Sequence, residues 1–113
     1  MQYLLLIYEN EATGKTVDRS KMHEEYGKFT KSIIASGNFK GGDALQPTST
    51  ATTVRHKDGK PVVTHGPFAE TREALIGYYM IDAKDLDQAL EIAGRVPSVQ
   101  IGSIEVRPVM VYN

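Results

Sequence analysis

A histidine and several charged side chains meet at one corner of the sequence. Residues 62–73 read Val-Val-Thr-His-Gly-Pro-Phe-Ala-Glu-Thr-Arg-Glu, so His65 stands immediately before a Gly-Pro pair. Such a pair favours a sharp turn that projects the last side chain of the preceding strand. An imidazole close to the carboxylate of Glu70 can act as a general acid or base near neutral pH. The guanidinium of Arg72 can bind a carboxylate through two parallel hydrogen bonds.

The same corner also has a purely structural interpretation. Phe68 would fill the core, while Glu70, Arg72 and Glu73 would pair with one another at the start of the next strand. Residue types and spacing alone favour this interpretation over a catalytic one. The catalytic assignment therefore depends on the rest of the chain.

Other side chains could complete a site for a small organic acid. Arg107 is a second candidate for binding a carboxylate, and the hydroxyls of Tyr26 and Tyr79 could orient a ligand. His23 and His56, taken alone, are typical of surface or hydrogen-bonded histidines. Because the chain has no cysteine and no two histidines four residues apart, we predict neither a metal site nor a cofactor.

Composition narrows the class of protein. The chain has 113 residues, and 13 basic against 14 acidic side chains give a net charge of −1. This length is typical of one domain, and the interleaved charges form no patch suited to nucleic acid. No apolar run reaches the roughly 18 residues of a membrane span, and the first residues lack a signal-peptide pattern. We therefore predict a single cytoplasmic domain over residues 1–113, with no nucleic-acid or membrane partner.

The first half of the sequence predicts a strand, a loop and a helix. Residues 3–8 are apolar or aromatic without alternation, which is typical of a strand buried on both faces. Residues 10–17 are polar and predict a loop. The helix is expected to begin at Asp18 or Ser20 and to end at Gly37. Its apolar stripe has spacings of three and four residues: Met22, Tyr26, Phe29 and Ile33.

The second half predicts a hairpin, a strand, a helix and a final strand. A short stretch over 39–42 leads to the turn Leu45-Gln46-Pro47. The pair Asp58-Gly59 between two strand-like runs is a strong hairpin signal. Pro108 interrupts the last strand, as edge strands allow. The segments are residues 50–56 and 60–65 for the hairpin, 74–81 for the strand, a helix capped by Asp85 and stopped before Pro97, and 103–112 for the last strand.

This order indicates a ferredoxin-like α+β fold, β-α-β, a hairpin, then β-α-β, with two helices on one face of an antiparallel sheet. Both apolar strands also place large side chains on the other face, and Tyr79 is assigned to that open face. Each large apolar side chain left in water loses about 1.5–3 kcal/mol of the free energy that its burial would contribute. We therefore predict a homodimer, or a higher oligomer, packed sheet to sheet. The alternative is that the hairpin folds over the open face.

Seven segments occur in an order that covers nearly the whole chain: residues 3–8, 45–47, 50–55, 58–59, 66–71, 77–79 and 105–109. Together they resemble the YCII-related family, in its Asp-Gly-Pro-Phe (DGPF) branch. The resemblance implies a dimeric α+β barrel. Some wider relatives use a His–Asp pair in a pocket, and one type eliminates chloride from chlorinated muconate-like acids. Other members of the branch resemble proteins labelled as transcription-initiation or sigma-factor-associated.

The chain departs from this family pattern at two positions. His65 stands where the branch has aspartate, and Val96 stands where the catalytic aspartate of the relatives would fall. His23 lies near the position of the expected histidine. The inherited His–Asp pair is therefore not expected here, which weakens an enzyme assignment made by analogy.

Three functions stay open at this point. The first is a small-molecule pocket protein which, if catalytic, is a cofactor-independent lyase or isomerase acting on a small organic acid. The second is a non-enzymatic binding or regulatory module linked to transcription, and the third is a fold without a site. The residues assigned to the first are His65 and Glu70 for proton transfer, Arg72 and Arg107 for carboxylate binding, and Tyr26, Tyr79 and His23 for lining the pocket.

Overall fold

The computed structural model describes residues 1–112, which form six strands, three α-helices and two 3-10 helices. The 3-10 helices are Thr48–Thr50 and Pro97–Gln100. The other elements, in chain order, are β1 (Gln2–Glu9), α1 (Glu11–Gly14), α2 (Arg19–Ala35), β2 (Phe39–Ala44), β3 (Thr52–Lys57), β4 (Lys60–His65), β5 (Ala74–Asp82), α3 (Leu86–Ala93) and β6 (Gly102–Pro108).

The main sheet has four antiparallel strands in the order β2-β5-β1-β6. The two middle strands, β1 and β5, are the first strands of the two β-α-β units, as in ferredoxin-like folds. Strands β3 and β4 pair only with each other in a separate sheet. The predicted α+β class and element order are thus confirmed.

The core lies between one face of this sheet and the two longer helices. Leu5 and Ile81 from the central strands pack with Ile33 from α2 and Ile92 from α3, and all four are buried. Strand residues reach this layer by alternation, since every second residue of β1 is buried from Tyr3 onward. The buried strand face and the helix stripe therefore fix where α2 lies above the sheet.

Local signals set the ends of these elements as predicted. The side chain of Asp18 accepts a hydrogen bond from the backbone N–H of Lys21 at 3.1 Å, and Asp85 does the same for Gln88 at 2.9 Å. Gly37, just beyond α2, has a φ of 80°, a left-handed conformation that glycine adopts at low cost.

The structure corrects three predicted boundaries. Residues 10–17 include the short helix α1, because the Asn10 side chain accepts hydrogen bonds from the backbone N–H groups of Ala12 and Thr13. The stretch predicted over 39–42 is a complete edge strand, β2. The last strand ends at Pro108 instead of continuing to residue 112, since proline donates no ladder hydrogen bond.

The assignment of Tyr79 to the open face of the sheet is wrong. Tyr79 is paired with Leu5, and directly paired residues point to the same face. Its ring packs edge-on against Phe29 and Phe39, at centroid distances of 5.3 and 6.3 Å. A strand that is apolar at every position has no alternation, so its two faces could not be distinguished from the sequence.

Within the described residues 1–112, no helix packs on the open face of the sheet. Its residues alternate with the buried ones along the central strands and are half-buried or exposed in the single chain. We call this set the open-face patch: Leu4, Leu6, Tyr8, Leu75, Tyr78 and Met80. Its apolar character was predicted from the sequence.

The hairpin β3–β4 does not cover the open-face patch. The Cα atoms span 48 × 45 × 18 Å. The smallest of these dimensions, 18 Å, is filled by one sheet and one layer of helices. A hairpin packed on the open face would add about 10 Å to it. The radius of gyration is 16.0 Å, against about 13 Å for a compact domain of this length. The hairpin therefore extends away from the main sheet, and its valines 54, 62 and 63 are exposed.

Candidate functional site

A cavity of about 740 Å³ lies on the helix side of the sheet. Its walls come from α1, α2, the end of β1, β2, residues 45–47 and β5. Cavities of roughly 300–1,000 Å³ are typical of sites for small molecules. A second cavity, beside Phe29 and Arg95, is smaller, at about 350 Å³.

Helix α2 supplies one continuous wall of the cavity. The lining residues on this helix lie at spacings of three and four, which places them on a single face. From the N-terminal end they are Arg19, Met22, His23, Tyr26 and Thr30. The wall therefore runs from charged groups at the helix start to hydroxyls near its middle.

Tyr79 forms the part of the cavity floor contributed by β5. Its hydroxyl is 2.6 Å from Oγ1 of Thr30. Its ring lies nearly parallel to that of Tyr26, with an interplanar angle of 13° and centroids 6.5 Å apart. Contacts with the aromatic core hold this tyrosine in place, so the hydroxyl position is fixed by packing as well as by Thr30.

A buried chain of hydrogen bonds begins at Tyr26. The hydroxyls of Tyr26 and Ser98 are 2.5 Å apart, and the Ser98 hydroxyl donates to Oε2 of Glu9. The exposed fractions of Glu9 and Ser98 are 2% and 0%. Because the single hydroxyl hydrogen of Ser98 is donated to Glu9, the hydroxyl of Tyr26 must donate to Ser98.

Burial raises the pKa of Tyr26 to about 12. The hydrogen bond with Ser98 opposes this shift, and the nearby carboxylate of Glu9 adds a smaller increase. Burial acts in this direction because it disfavours the phenolate form. Tyr26 therefore keeps its proton at neutral pH and offers the cavity a neutral hydroxyl.

Cationic groups lie at the opposite end of the cavity wall. Arg19 donates from Nη2 to the backbone oxygen of Gly14, and a Cβ at position 14 would lie only 2.7 Å from that nitrogen. Glycine at this position thus lets the guanidinium lie against α1. Lys15, which follows α1, also lines the cavity. Within residues 1–112, neither cation has a carboxylate at salt-bridge distance.

Glu11, also at this end, is held by Thr48. The Thr48 hydroxyl donates to Oε1 of Glu11 at 2.5 Å, and the Thr48 backbone N–H donates to Oε2 at 2.9 Å. Both hydrogen bonds lower the pKa of Glu11, and the one from the Thr48 side chain has the larger effect. They also tie α1 to the 3-10 helix Thr48–Thr50, so the two sides of the cavity rim are joined.

The cavity brings together three of the residues assigned from the sequence, His23, Tyr26 and Tyr79. The remaining four do not line it in the single chain. His65 is exposed at the end of β4, where it pairs with Thr52. The other three are also exposed: Glu70, Arg72 and Arg107.

The fold explains the position of one of these four residues. Arg107 pairs with Leu4 and so belongs to the open face, on the side of the sheet opposite the cavity. Phe68 is 74% exposed, so the structural interpretation in which it fills the core of the chain is wrong. The segment between β4 and β5 that carries Glu70 and Arg72 contains no strand or helix.

Sequence reasoning missed Glu9, Ser98 and Arg19. A signal for Glu9 was present, because it continues the alternation of buried residues Tyr3, Leu5 and Ile7. A carboxylate at such a position is a candidate functional group, since burying a charge is costly. Ser98 offered no comparable signal: it is buried because Pro97 begins a short helix over the end of β1.

Within residues 1–112, no three His, Asp or Glu side chains are grouped closely enough to hold a metal ion. The same residues contain no helix with the length and hydropathy needed to cross a membrane.

Comparison with known proteins adds three findings. The model of the YCII-related domain matches residues 1–113. An uncharacterised protein of Rhizobium meliloti (strain 1021) is 36% identical over 119 residues, covering 100% of this chain and 95% of that protein. A solved structure of 5-chloro-2-hydroxyhydroquinone dehydrochlorinase from Burkholderia phenoliruptrix, in complex with 2,5-dihydroxybenzoquinone, has a TM-score of 0.58 at 10% identity, covering 97% of this chain and 94% of that one. At that identity the similarity concerns the fold.

Proposed function

This chain belongs to the YCII-related domain family, and we propose that it binds a small organic acid in the cavity beneath α2 and acts on it by proton transfer. The observation that carries the proposal is the arrangement of charge in this cavity. Arg19 and Lys15 lie beside the start of α2, and the hydroxyls of Tyr26 and Thr30 lie farther along this helix. The buried carboxylate of Glu9 accepts a hydrogen bond from Ser98, and its Oε1 lies near Nη2 of Arg19, since a Cβ at position 14 would be 3.2 Å from the one and 2.7 Å from the other. A site with convergent polar groups in an otherwise apolar cavity is the usual form of a small-molecule site.

The cationic end would bind the carboxylate of the ligand. Arg19 has one nitrogen occupied by the backbone oxygen of Gly14, and its other N–H groups can donate to an anion in a charge-assisted pair. It takes the role that the sequence suggested for Arg72 or Arg107, which do not line the cavity. His23, one turn along α2, would contact the middle of the ligand.

Removal of a proton from carbon is the common first step of many lyase and isomerase reactions. The similar fold of the dehydrochlorinase, an enzyme solved with a small molecule bound, supports a reaction of this general kind. The roles first assigned to His65 and Glu70 stay predictions. Their positions outside the cavity of the single chain favour acid/base chemistry by residues of α2 and β1 instead.

The charge of Arg19 provides the test of this proposal. We expect Arg19→Gln to weaken binding of a carboxylate probe such as phenylpyruvate by about 10- to 100-fold, the effect of losing one charged hydrogen-bonding partner. Isothermal titration calorimetry of the purified protein measures this change. Lys31→Gln is the matched control, because it removes a positive charge from an exposed position of α2 outside the cavity.

Equal weakening by the two variants would indicate a general effect of net charge and would contradict a site at Arg19. If the wild-type protein binds none of pyruvate, phenylpyruvate and 2-oxoglutarate, the proposal fails, and the regulatory module becomes the better hypothesis.

A further inference from the structure

We propose that Tyr26, Ser98 and Glu9 form a proton relay, in which Glu9 is the base that finally receives the proton of the bound acid. The relay rests on the proposed function, since it needs an acid in the cavity. It goes further by naming the groups that move the proton and by restricting the substrate to acids with a dissociable proton on carbon.

Three separate parts of the chain converge to make the relay. Tyr26 comes from α2, Glu9 is the last residue of β1, and Ser98 lies in the 3-10 helix after α3. Tyr26 and Glu9 line the cavity, while Ser98 lies between their polar groups and is fully buried. The hydrogen bonds run in one direction, from Tyr26 to Ser98 and from Ser98 to Glu9.

The burial of Glu9 needs an explanation beyond stability. A carboxylate that is 2% exposed is costly to bury, and apolar residues of similar size usually stabilise such positions as well or better. Its hydrogen-bonding partner is a neutral serine. The Arg19 guanidinium lies near its other oxygen without forming a salt bridge, since a Cβ at position 14 would be 2.7 Å from Nη2 of Arg19 and 3.2 Å from Oε1 of Glu9. A buried carboxylate connected by hydroxyls to a cavity is the arrangement expected of an acid/base group.

The relay consists of three proton transfers that occur together. The C–H bond of the substrate breaks and its proton forms an O–H bond with the Tyr26 oxygen. The hydrogen that Tyr26 held passes to Ser98, and the hydrogen that Ser98 held passes to Oε2 of Glu9. The products are a neutral Glu9 and a substrate carbanion, whose electron pair is delocalised into the adjacent carbonyl as an enolate. Reversal of the same steps returns a proton to the substrate.

Tyr26 acts in this scheme as a carrier. Because its pKa is raised to about 12, the phenol is neutral at physiological pH and has no phenolate with which to take a proton alone. Its oxygen can accept a proton only as it passes its own hydrogen to Ser98. The negative charge that drives the transfer is that of Glu9.

The substrate class follows from these groups and from Arg19. It is a small carboxylic acid with an acidic C–H bond next to a carbonyl group, of which 2-oxo acids are the simplest examples. Apolar side chains that also line the cavity, such as Met22 and Ile76, suit an apolar substituent on this acid. Phenylpyruvate combines these features.

Solvent exchange in D₂O tests the relay directly. The wild-type protein is expected to accelerate loss of the benzylic proton signal of phenylpyruvate, followed by proton NMR. Glu9→Gln, Ser98→Ala and Tyr26→Phe should each slow the protein-dependent exchange by at least about 10-fold, since acid/base groups typically contribute about 100-fold or more. Tyr3→Phe and Ser36→Ala are the controls, because they make the same substitutions at residues that do not line the cavity. They should leave the exchange rate unchanged.

Binding of phenylpyruvate, measured by calorimetry on the same samples, separates the possible failures. Retained binding with lost exchange in the three variants supports the relay, and Ser98→Ala and Tyr26→Phe suffice if Glu9→Gln does not fold. If the wild-type protein binds phenylpyruvate but does not accelerate the exchange of its benzylic protons, the relay is wrong and the binding site stands. Exchange that survives in both Ser98→Ala and Tyr26→Phe also overturns it, whereas absence of binding by the wild-type protein overturns the proposed function and the relay with it.

Discussion

Replacing Leu6 by glutamate is expected to convert the two-copy assembly that we propose into a single chain of 12.5 kDa. Leu6 lies near the middle of the open-face patch, with Tyr78 and Glu105 as its neighbours on the adjacent strands. The proposal is that two copies pack this face against each other, as the sequence already indicated.

The expected effect is large because the substitution has two consequences in a dimer. It removes an apolar side chain whose burial contributes about 1.5–3 kcal/mol, and symmetry applies that loss to both copies. It also buries two carboxylates in an apolar interface, close to Glu105 of each chain. In a single chain Leu6 is only half-buried, so the fold of the monomer should survive.

Sedimentation velocity at micromolar concentration measures the change. The wild-type protein is expected to sediment at twice the mass of one chain, and Leu6→Glu at the mass of one. Ile34→Glu is the matched control, because it places the same charge on the exposed side of α2. A wild-type protein that sediments as a single chain would contradict the assembly.

The second large effect concerns the helix that forms the cavity wall. Ile33 is 0% exposed, whereas the next residue, Ile34, is 56% exposed. We expect Ile33→Ala to lower the free energy of unfolding by about 2–5 kcal/mol, because it removes buried methyl groups and leaves a void against the sheet. Ile34→Ala, with the same change in side chain, should alter the stability by less than about 0.5 kcal/mol.

Urea unfolding of the two variants at neutral pH provides the measurement. Equal effects at the two positions would mean that α2 does not pack on the sheet through the stripe containing Ile33. The cavity beneath this helix would then lack its wall, so the result bears on the site as well as on the fold.

Most of the fold was predictable because its signals are local. The spacing of apolar residues in α2, the cap at Asp18 and the turn at Asp58-Gly59 each act within a few residues of the chain. The faces of β5 were not predictable, because its run of apolar residues has no alternation. The location of Tyr79 emerged only from the register between β1 and β5.

The site was less predictable because its contacts join distant residues. Tyr26, Tyr79 and His23 were assigned from the sequence and line the cavity. Ser98 could not be found, because its role depends on an 89-residue separation from Glu9 being closed by the fold. The residue types around Gly66-Pro67 made this corner a candidate site, yet His65 beside it is exposed in the single chain.

A crystal structure of the protein with phenylpyruvate bound tests the central proposal most directly, namely that the cavity beneath α2 is a site for a small organic acid. We expect the carboxylate to lie within hydrogen-bonding distance of Arg19 and the benzylic carbon to face the Tyr26 hydroxyl. An acid bound elsewhere, for example at Arg72 or Arg107, with the cavity empty, would contradict the proposal.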